Sequence, residues 1–166
     1  MKRKKLTASM IALVMSVSLP MTTYAANWYL EDGSVTVNAD NSGQTVTQGS
    51  TSTPDEAPVI TQRESSVETG NTIAISTSDN ATANVTIKDI NIKSSNDAID
   101  VKGSSSANIT LEGDNKIFSE TGSALHVSDG NVTINGSGSL KAEIQDDLGS
   151  DYNHNAKIGS HEKEDM

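Results

Sequence analysis

A four-residue word that recurs at a nearly constant spacing constrains the fold of this chain more than any other feature. The word reads Asn-Val-Thr-Ile at 84–87, Asn-Ile-Thr-Leu at 108–111 and Asn-Val-Thr-Ile at 131–134, so its copies begin 24 and 23 residues apart. Polar and apolar residues alternate within each copy, which is typical of a strand with one buried face. A period in the low twenties with short alternating strands predicts the coils of a parallel β-helix.

Two other short segments recur between the copies of this word. One is Ala-Ile-Asp-Val at 98–101, which matches Ala-Leu-His-Val at 124–127 and, more loosely, Ala-Lys-Ile-Gly at 156–159. The other is a β-like piece at 90–92, 116–118 and 139–142. Turns rich in Gly, Asn, Asp and Ser separate the pieces. The sequence therefore predicts an all-β solenoid of about three rungs with three strands in each.

Pairing each word with its copy predicts which side chains stack inside. Val85 and Ile87 point inward while Asn84 and Thr86 point outward, because successive side chains of a strand alternate. Ile109 with Leu111, and Val132 with Ile134, continue the two inward stacks. A β-sandwich of antiparallel hairpins is the main alternative fold, but it does not require a strand to resemble the one 24 residues away. A leucine-rich repeat would need more Leu.

The N-terminus has the pattern of an export signal. Four basic residues at 2–5 precede an apolar run at 6–19, and Thr23-Tyr24-Ala25 offers small residues where a signal peptidase reads them. Cleavage is predicted after Ala25, with Ala26 as the alternative. The apolar run is shorter than the roughly 20 residues that a membrane-spanning helix needs. We therefore expect a secreted or cell-surface protein with no membrane span after signal cleavage.

Removal of the signal leaves a strongly acidic chain. The signal holds four of the 12 Lys and Arg and none of the 22 Asp and Glu, so the mature chain has a formal charge of −14. Such a charge disfavours nucleic acid and anionic lipid as partners, and it attracts divalent cations or basic surfaces. The chain has no Cys, so neither a disulfide nor a thiolate zinc site is available to it.

The predicted organisation has three parts. Residues 1–25 are the signal peptide, residues 26–66 are an N-terminal strand and a Ser/Thr-rich linker, and residues 67–166 are the β-helix repeats. A strand is expected at 34–37, while 46–61 is expected to be an extended connection rather than a packed element. Trp28 and Tyr29 are expected to cover the first rung. The chain stops where a fourth copy of the first word would begin, which predicts a C-terminally truncated solenoid.

These words resemble the repeats of secreted and cell-surface proteins of Gram-positive anaerobes. Among these is the clostridial carbohydrate-binding-domain family, to which the words at 84–87, 89–92, 111–115 and 136–140 are similar. The stretch at 156–159 is similar to the Ala-Gly-Ile-Gly of such repeats, with Lys157 in place of the glycine. The resemblance covers roughly 72–159 and implies a right-handed parallel β-helix. It also implies binding to cell-wall or plant polysaccharide, in some members with calcium.

The third repeat unit carries an acidic insertion at 145–155 that attracts most of the site predictions. Asp146, Asp147 and Asp151 offer oxygen ligands of the kind that calcium prefers, and a solvated acidic loop is the alternative. Tyr152, Asn153 and Asn155 are the predicted sugar contacts, because an aromatic ring and nearby amides suit a pyranose. Phe118 is expected to fill the core.

A catalytic apparatus is not visible in the sequence. A pectin-active lyase would need a Lys or Arg base beside calcium-binding carboxylates, and the mature chain has one Arg, Arg63. Asp146 and Asp147 are adjacent, so on a strand they would face opposite ways. We therefore expect a non-enzymatic β-helix that binds polysaccharide or another surface, without an obligatory cofactor. The alternatives are a structural or adhesive stalk and a fragment of a pectin-active lyase or hydrolase.

Overall fold

The computed structural model describes residues 25–78, 80–145 and 158–161. These residues form fifteen β-strands and one 3-10 turn, Leu30–Asp32. The strands are β1 Asn27–Tyr29, β2 Val35–Asp40, β3 Gly43–Gln48, β4 Thr51–Pro54, β5 Val59–Thr61, β6 Ile73–Thr77, β7 Thr82–Lys88, β8 Asn91–Ser94, β9 Ile99–Gly103, β10 Ser106–Glu112, β11 Asp114–Ser119, β12 Leu125–Ser128, β13 Asn131–Gly136, β14 Ser139–Ile144 and β15 Ile158–His161.

The strands stack into three sheets that run along a solenoid. A five-stranded sheet has the order β1-β5-β7-β10-β13, a three-stranded sheet has the order β8-β11-β14, and a seven-stranded sheet has the order β15-β12-β9-β6-β2-β3-β4. The coils β7-β8-β9, β10-β11-β12 and β13-β14-β15 each contribute one strand to each sheet, and equivalent strands pair in parallel. The predicted parallel β-helix of about three rungs is therefore confirmed.

The interior consists of short ladders of like apolar side chains. In the five-stranded sheet, Ile60, Ile87 and Leu111 lie in one ladder, and each is almost fully buried. In the seven-stranded sheet, Val35, Ile73, Ile99 and Leu125 form another ladder. Each coil alone would leave its apolar side chains exposed to water, so the stacking of coils supplies the burial that stabilises the fold.

The register of the third copy of the word differs from the prediction. Val85 pairs with Ile109 as expected, but Ile109 pairs with Ile134 rather than with Val132. The equivalent residues are therefore 25 positions apart at this step instead of 23. Because side chains alternate with a period of two, a shift of two residues keeps every apolar side chain on the inner face. The repeated word predicted the face correctly and the partner wrongly.

A second register difference affects the looser copy at 156–159. The alignment of the words would pair Leu125 with Lys157, whereas the structure pairs Leu125 with Ile158 and His126 with Gly159. The shift is one residue, which exchanges the two faces of a strand. The structure thus places an apolar residue beside Leu125 in the ladder, where the word alignment had placed a lysine.

The segment predicted as a strand and linker, 26–66, is mostly packed structure. It contributes β1 to β5, of which β1 and β5 extend the five-stranded sheet and β2 extends the seven-stranded sheet in parallel. β3 and β4 then fold back antiparallel beside β2. Val46 and Ile60 are fully buried, so the expectation of an extended connection at 46–61 was wrong. The high Ser and Thr content here reflects the outward faces of strands.

The strand expected at 34–37 is confirmed as β2. Trp28 is 8 % exposed and pairs with Ile60, so it covers the first ladder as predicted. Tyr29 lies half-buried on the other face of β1, where the Arg63 guanidinium carbon is 4.1 Å from its ring centroid.

Candidate functional site

The site residues predicted from the sequence lie outside the described residues. They are the calcium candidates and the sugar-contact candidates of the acidic insertion: Asp146, Asp147, Asp151, Tyr152, Asn153 and Asn155. Both sets therefore remain predictions. The described residues carry a different candidate surface, on the outer face of the three-stranded sheet.

This outer face is built from alternate residues of β8, β11 and β14. Lys116 pairs with Asn91 on one side and with Lys141 on the other, while Phe118 pairs with Lys93 and Glu143. The outward side chains therefore form two rows across the sheet. Neighbours within a row belong to successive coils, which are about 4.8 Å apart. We call this surface the Phe118 face, and it consists of Asn91, Lys93, Lys116, Phe118, Lys141 and Glu143.

Phe118 is the aromatic residue of this face, and the expectation that it fills the core was wrong. Its neighbour Ile117 is 1 % exposed and occupies the interior, so alternation along β11 turns Phe118 outward. The ring is half-buried. The Lys93 ammonium lies 5.7 Å from the ring centroid, within the range of a cation–π contact. This contact holds a positive charge beside the aromatic surface.

The Phe118 face gathers lysines on an otherwise acidic molecule, with carboxylates among them. Three of the five lysines in the described residues lie here. Lys93 lies 3.9 Å from a Glu68 oxygen, and Lys141 lies 2.9 Å from a Glu143 oxygen. Lys116, between them, has no carboxylate within 4.0 Å among the described residues. Its ammonium group is thus available to an anion from outside.

Two shallow depressions on this surface meet at Lys116. The first contains Phe118 and Lys93 with Glu68 and Glu143 at its rim. The second contains Lys141 and the hydroxyl-bearing residues Ser65, Ser66 and Ser139, together with Asp114. The Ser139 hydroxyl donates a hydrogen bond of 2.9 Å to Asp114. Together the two depressions offer one aromatic surface, three ammonium groups, three carboxylates and neutral polar groups.

A separate cluster on the seven-stranded sheet brings together residues from two coils. His126 Nδ1 lies 3.0 Å from an Asp100 oxygen and 3.5 Å from an Asp97 oxygen. Each residue offers one ligand atom, and these atoms lie within 4.8 Å of one another, so the cluster has the donors for a divalent metal. Its members also have protein partners, because Asp97 accepts the Ser123 N–H at 2.6 Å and the Lys102 ammonium lies 3.7 Å from Asp100.

The Phe118 face could have been found from the sequence by following the alternation one step further. The pieces at 90–92 and 116–118 are equivalent in the sequence, but matching them end to end aligns Ile92 with Phe118. The structure pairs Ile92 with Ile117 instead, which places their neighbours Lys93 and Phe118 together on the opposite side. The expectation failed because a single Phe in an aromatic-poor chain was assigned to the core by residue type. The Asp100–His126 contact had a weaker signal, namely that Asp100 and His126 occupy the same position of a repeated word.

Within the described part of the chain, no helix is long and apolar enough to cross a bilayer. No family model, curated protein or solved structure matches the chain significantly in comparisons with known proteins.

Proposed function

We propose that this chain is an exported, non-enzymatic β-helix that binds acidic polysaccharide on the Phe118 face. The single observation that carries the proposal is the outward Phe118 ring with lysines along both rows. A large aromatic side chain on the outer face of a solenoid contributes little to burial in the core. Its placement is explained if the ring packs against another surface.

The chemistry of the face suits an extended sugar chain with anionic groups. The C–H groups of a pyranose pack against an aromatic ring, while ammonium groups bind carboxylate or sulfate substituents. The step between neighbouring coils, about 4.8 Å, is comparable with the length of one sugar unit in an extended chain. Neighbouring lysines such as Lys116 and Lys141 could therefore contact successive units.

One observation argues against Arg63 as the base of a lyase. Arg63 donates two hydrogen bonds to the Asp32 carboxylate, at 2.9 and 2.7 Å, and its guanidinium stacks on Tyr29. The side-chain hydrogen bond with Asp32 raises the pKa of Arg63 above its ordinary value, so the group holds its proton more firmly. An arginine held in this way is poorly suited to act as the base of a lyase.

Retention on immobilised polysaccharides tests the proposal. We expect the mature chain to be retained on polygalacturonate and released by moderate salt, because ammonium–carboxylate contacts are screened by ions. Phe118→Ala and Lys116→Ala should each weaken retention about 10-fold, as expected for the loss of one stacking or charged contact. The matched control is Lys88→Ala, which removes a lysine from the five-stranded sheet and should bind as the unmodified chain does.

Each outcome separates the proposal from its alternatives. Retention that survives both Phe118→Ala and Lys116→Ala would place the binding site elsewhere, and the predicted contacts Tyr152, Asn153 and Asn155 would then be tested next. Absence of retention on every acidic and neutral polysaccharide would favour a structural or adhesive stalk. Release of unsaturated or reducing ends from pectin would contradict the non-enzymatic part. Repetition with calcium and with a chelator tests the calcium prediction.

A further inference from the structure

The Asp55 carboxylate is buried beside the start of the described chain. Asp55 is 2 % exposed. One of its oxygens accepts hydrogen bonds from the Ala26 N–H at 3.1 Å and from the Trp28 indole N–H at 3.0 Å. The other oxygen accepts the Ala57 N–H at 3.2 Å. Three neutral donors thus converge on one carboxylate.

Among the residues that the structure describes, no basic side chain balances the charge of this carboxylate. No ion pair of the described residues includes Asp55. A buried charge is costly unless it is paired as well as hydrogen-bonded. Of the three donors, only the Ala26 nitrogen would be altered by signal cleavage. It belongs to the peptide bond at which the export signal is predicted to end.

We infer that cleavage after Ala25 creates an ion pair between the new α-ammonium group of Ala26 and the buried Asp55 carboxylate. Hydrolysis of the Ala25–Ala26 bond adds one water, breaks the C–N bond, leaves a carboxylate on Ala25 and leaves an amine on Ala26. The amine takes up a proton, since the ordinary pKa of an α-amino group is about 8. This inference rests on the proposed export of the chain.

The surrounding hydrogen bonds keep the new terminus in place after cleavage. The Ala26 carbonyl accepts the Val59 N–H at 2.9 Å, and the next residue begins β1, which pairs with β5. The α-ammonium group therefore forms where the peptide N–H already points at Asp55. Processing would then stabilise the first rung, so that the mature chain is more stable than the same chain with a blocked terminus.

The geometry also distinguishes between the two cleavage positions that the sequence allowed. Cleavage after Ala25 places the positive charge on the nitrogen that lies 3.1 Å from Asp55. Cleavage after Ala26 would remove that nitrogen and would place the charge on Asn27, the first residue of β1. The structure thus favours Ala26 as the first residue of the mature chain.

A two-by-two comparison tests the ion pair in purified protein. The chain 26–166 is released from a fusion with a free Ala26 amine, and half of it is acetylated at that amine, which keeps an N–H but removes the charge. Both forms are made for the unmodified sequence and for Asp55→Asn. At pH 6.5 and low salt we expect acetylation to lower Tm by at least about 4 °C in the unmodified sequence and by less than about 1 °C in Asp55→Asn. An equal decrease in both sequences would overturn the inference.

Two further measurements keep the test decisive if Asp55→Asn fails to fold. Chains that begin with free amines at Ala25, Ala26 and Asn27 should show the highest Tm for the Ala26 start, and an equally stable Asn27 start would overturn the ion pair. Mass spectrometry of the exported protein should find Ala26 at its N-terminus, whereas a start at Ala25 or Asn27 would contradict the inference. An uncleaved product would contradict the proposed export instead, while the Tm comparison would still decide the ion pair.

Discussion

Truncation of Ile109 to alanine tests the central claim about the interior, which is that like side chains stack between coils. Ile109 is 2 % exposed and lies between Val85 and Ile134 in its ladder. Ile109→Ala removes three carbon atoms, each worth about 0.8 kcal/mol when buried, so the transfer loss is about 2.4 kcal/mol. The enclosed cavity raises the expected loss of unfolding free energy to about 3–4 kcal/mol.

The next residue in the same ladder provides a matched comparison. Ile134 is 38 % exposed, so the same truncation removes less buried surface and opens a space that water can fill. Scaling the transfer loss by the buried fraction predicts about 1.5 kcal/mol for Ile134→Ala. The two substitutions remove the same atoms from the same ladder, so the difference between them reports position in the stack rather than residue type.

Urea unfolding of the mature chain measures both losses. We expect a lower midpoint for each variant with an unchanged dependence on urea, and we expect the decrease to be about twice as large for Ile109→Ala. Thr133→Ala, on the exposed face of β13, should change the unfolding free energy by no more than about 0.5 kcal/mol. The reasoning fails if Ile134→Ala costs as much as Ile109→Ala, or if Thr133→Ala costs more than either.

Three other predictions concern backbone, buried amide and exposed ion pair. Gly103 has a φ of +118°, and an added Cβ would meet a backbone carbonyl of the neighbouring coil. Gly103→Ala should therefore lower the unfolding free energy by at least about 2 kcal/mol. The control is Gly49→Ala, where an added Cβ meets open space and the expected loss is about 1 kcal/mol. Asn115→Ala should cost about 1–3 kcal/mol in urea unfolding, because the buried Asn115 amide donates two hydrogen bonds of 3.0 Å to backbone carbonyls. The hydrogen bond from Arg63 lowers the pKa of Asp32. The stability that Asp32 adds over Asp32→Asn should therefore be present above about pH 4 and be lost as the pH falls through that lowered pKa. Thermal unfolding of both proteins across pH measures this difference, and a difference that grew as the pH fell would contradict the prediction.

The candidate site shows where residue type misleads and periodicity does not. Phe118 was assigned to the core because it is large and apolar, yet its position beside Ile117 determines that it faces outward. Both residues cannot point inward on one strand, and the smaller aliphatic side chain matches the neighbouring Ile92 in the ladder. Asp55 illustrates the opposite case. Nothing in the sequence near 55 indicates that its carboxylate meets Ala26, because their contact depends on the fold of β1 to β5.

The sequence by itself determined that this chain forms a solenoid and which face of each repeated strand is buried. Both follow from local patterns, since the alternation of period two assigns faces and the recurrence near 24 residues assigns coils. Only the tertiary structure decided the pairing of Ile109 with Ile134, the packing of 46–61 and the gathering of three lysines around Phe118. A shift of two residues leaves every face unchanged, so the hydrophobic pattern cannot distinguish such registers. The choice is made by how the turns and side chains of neighbouring coils pack together.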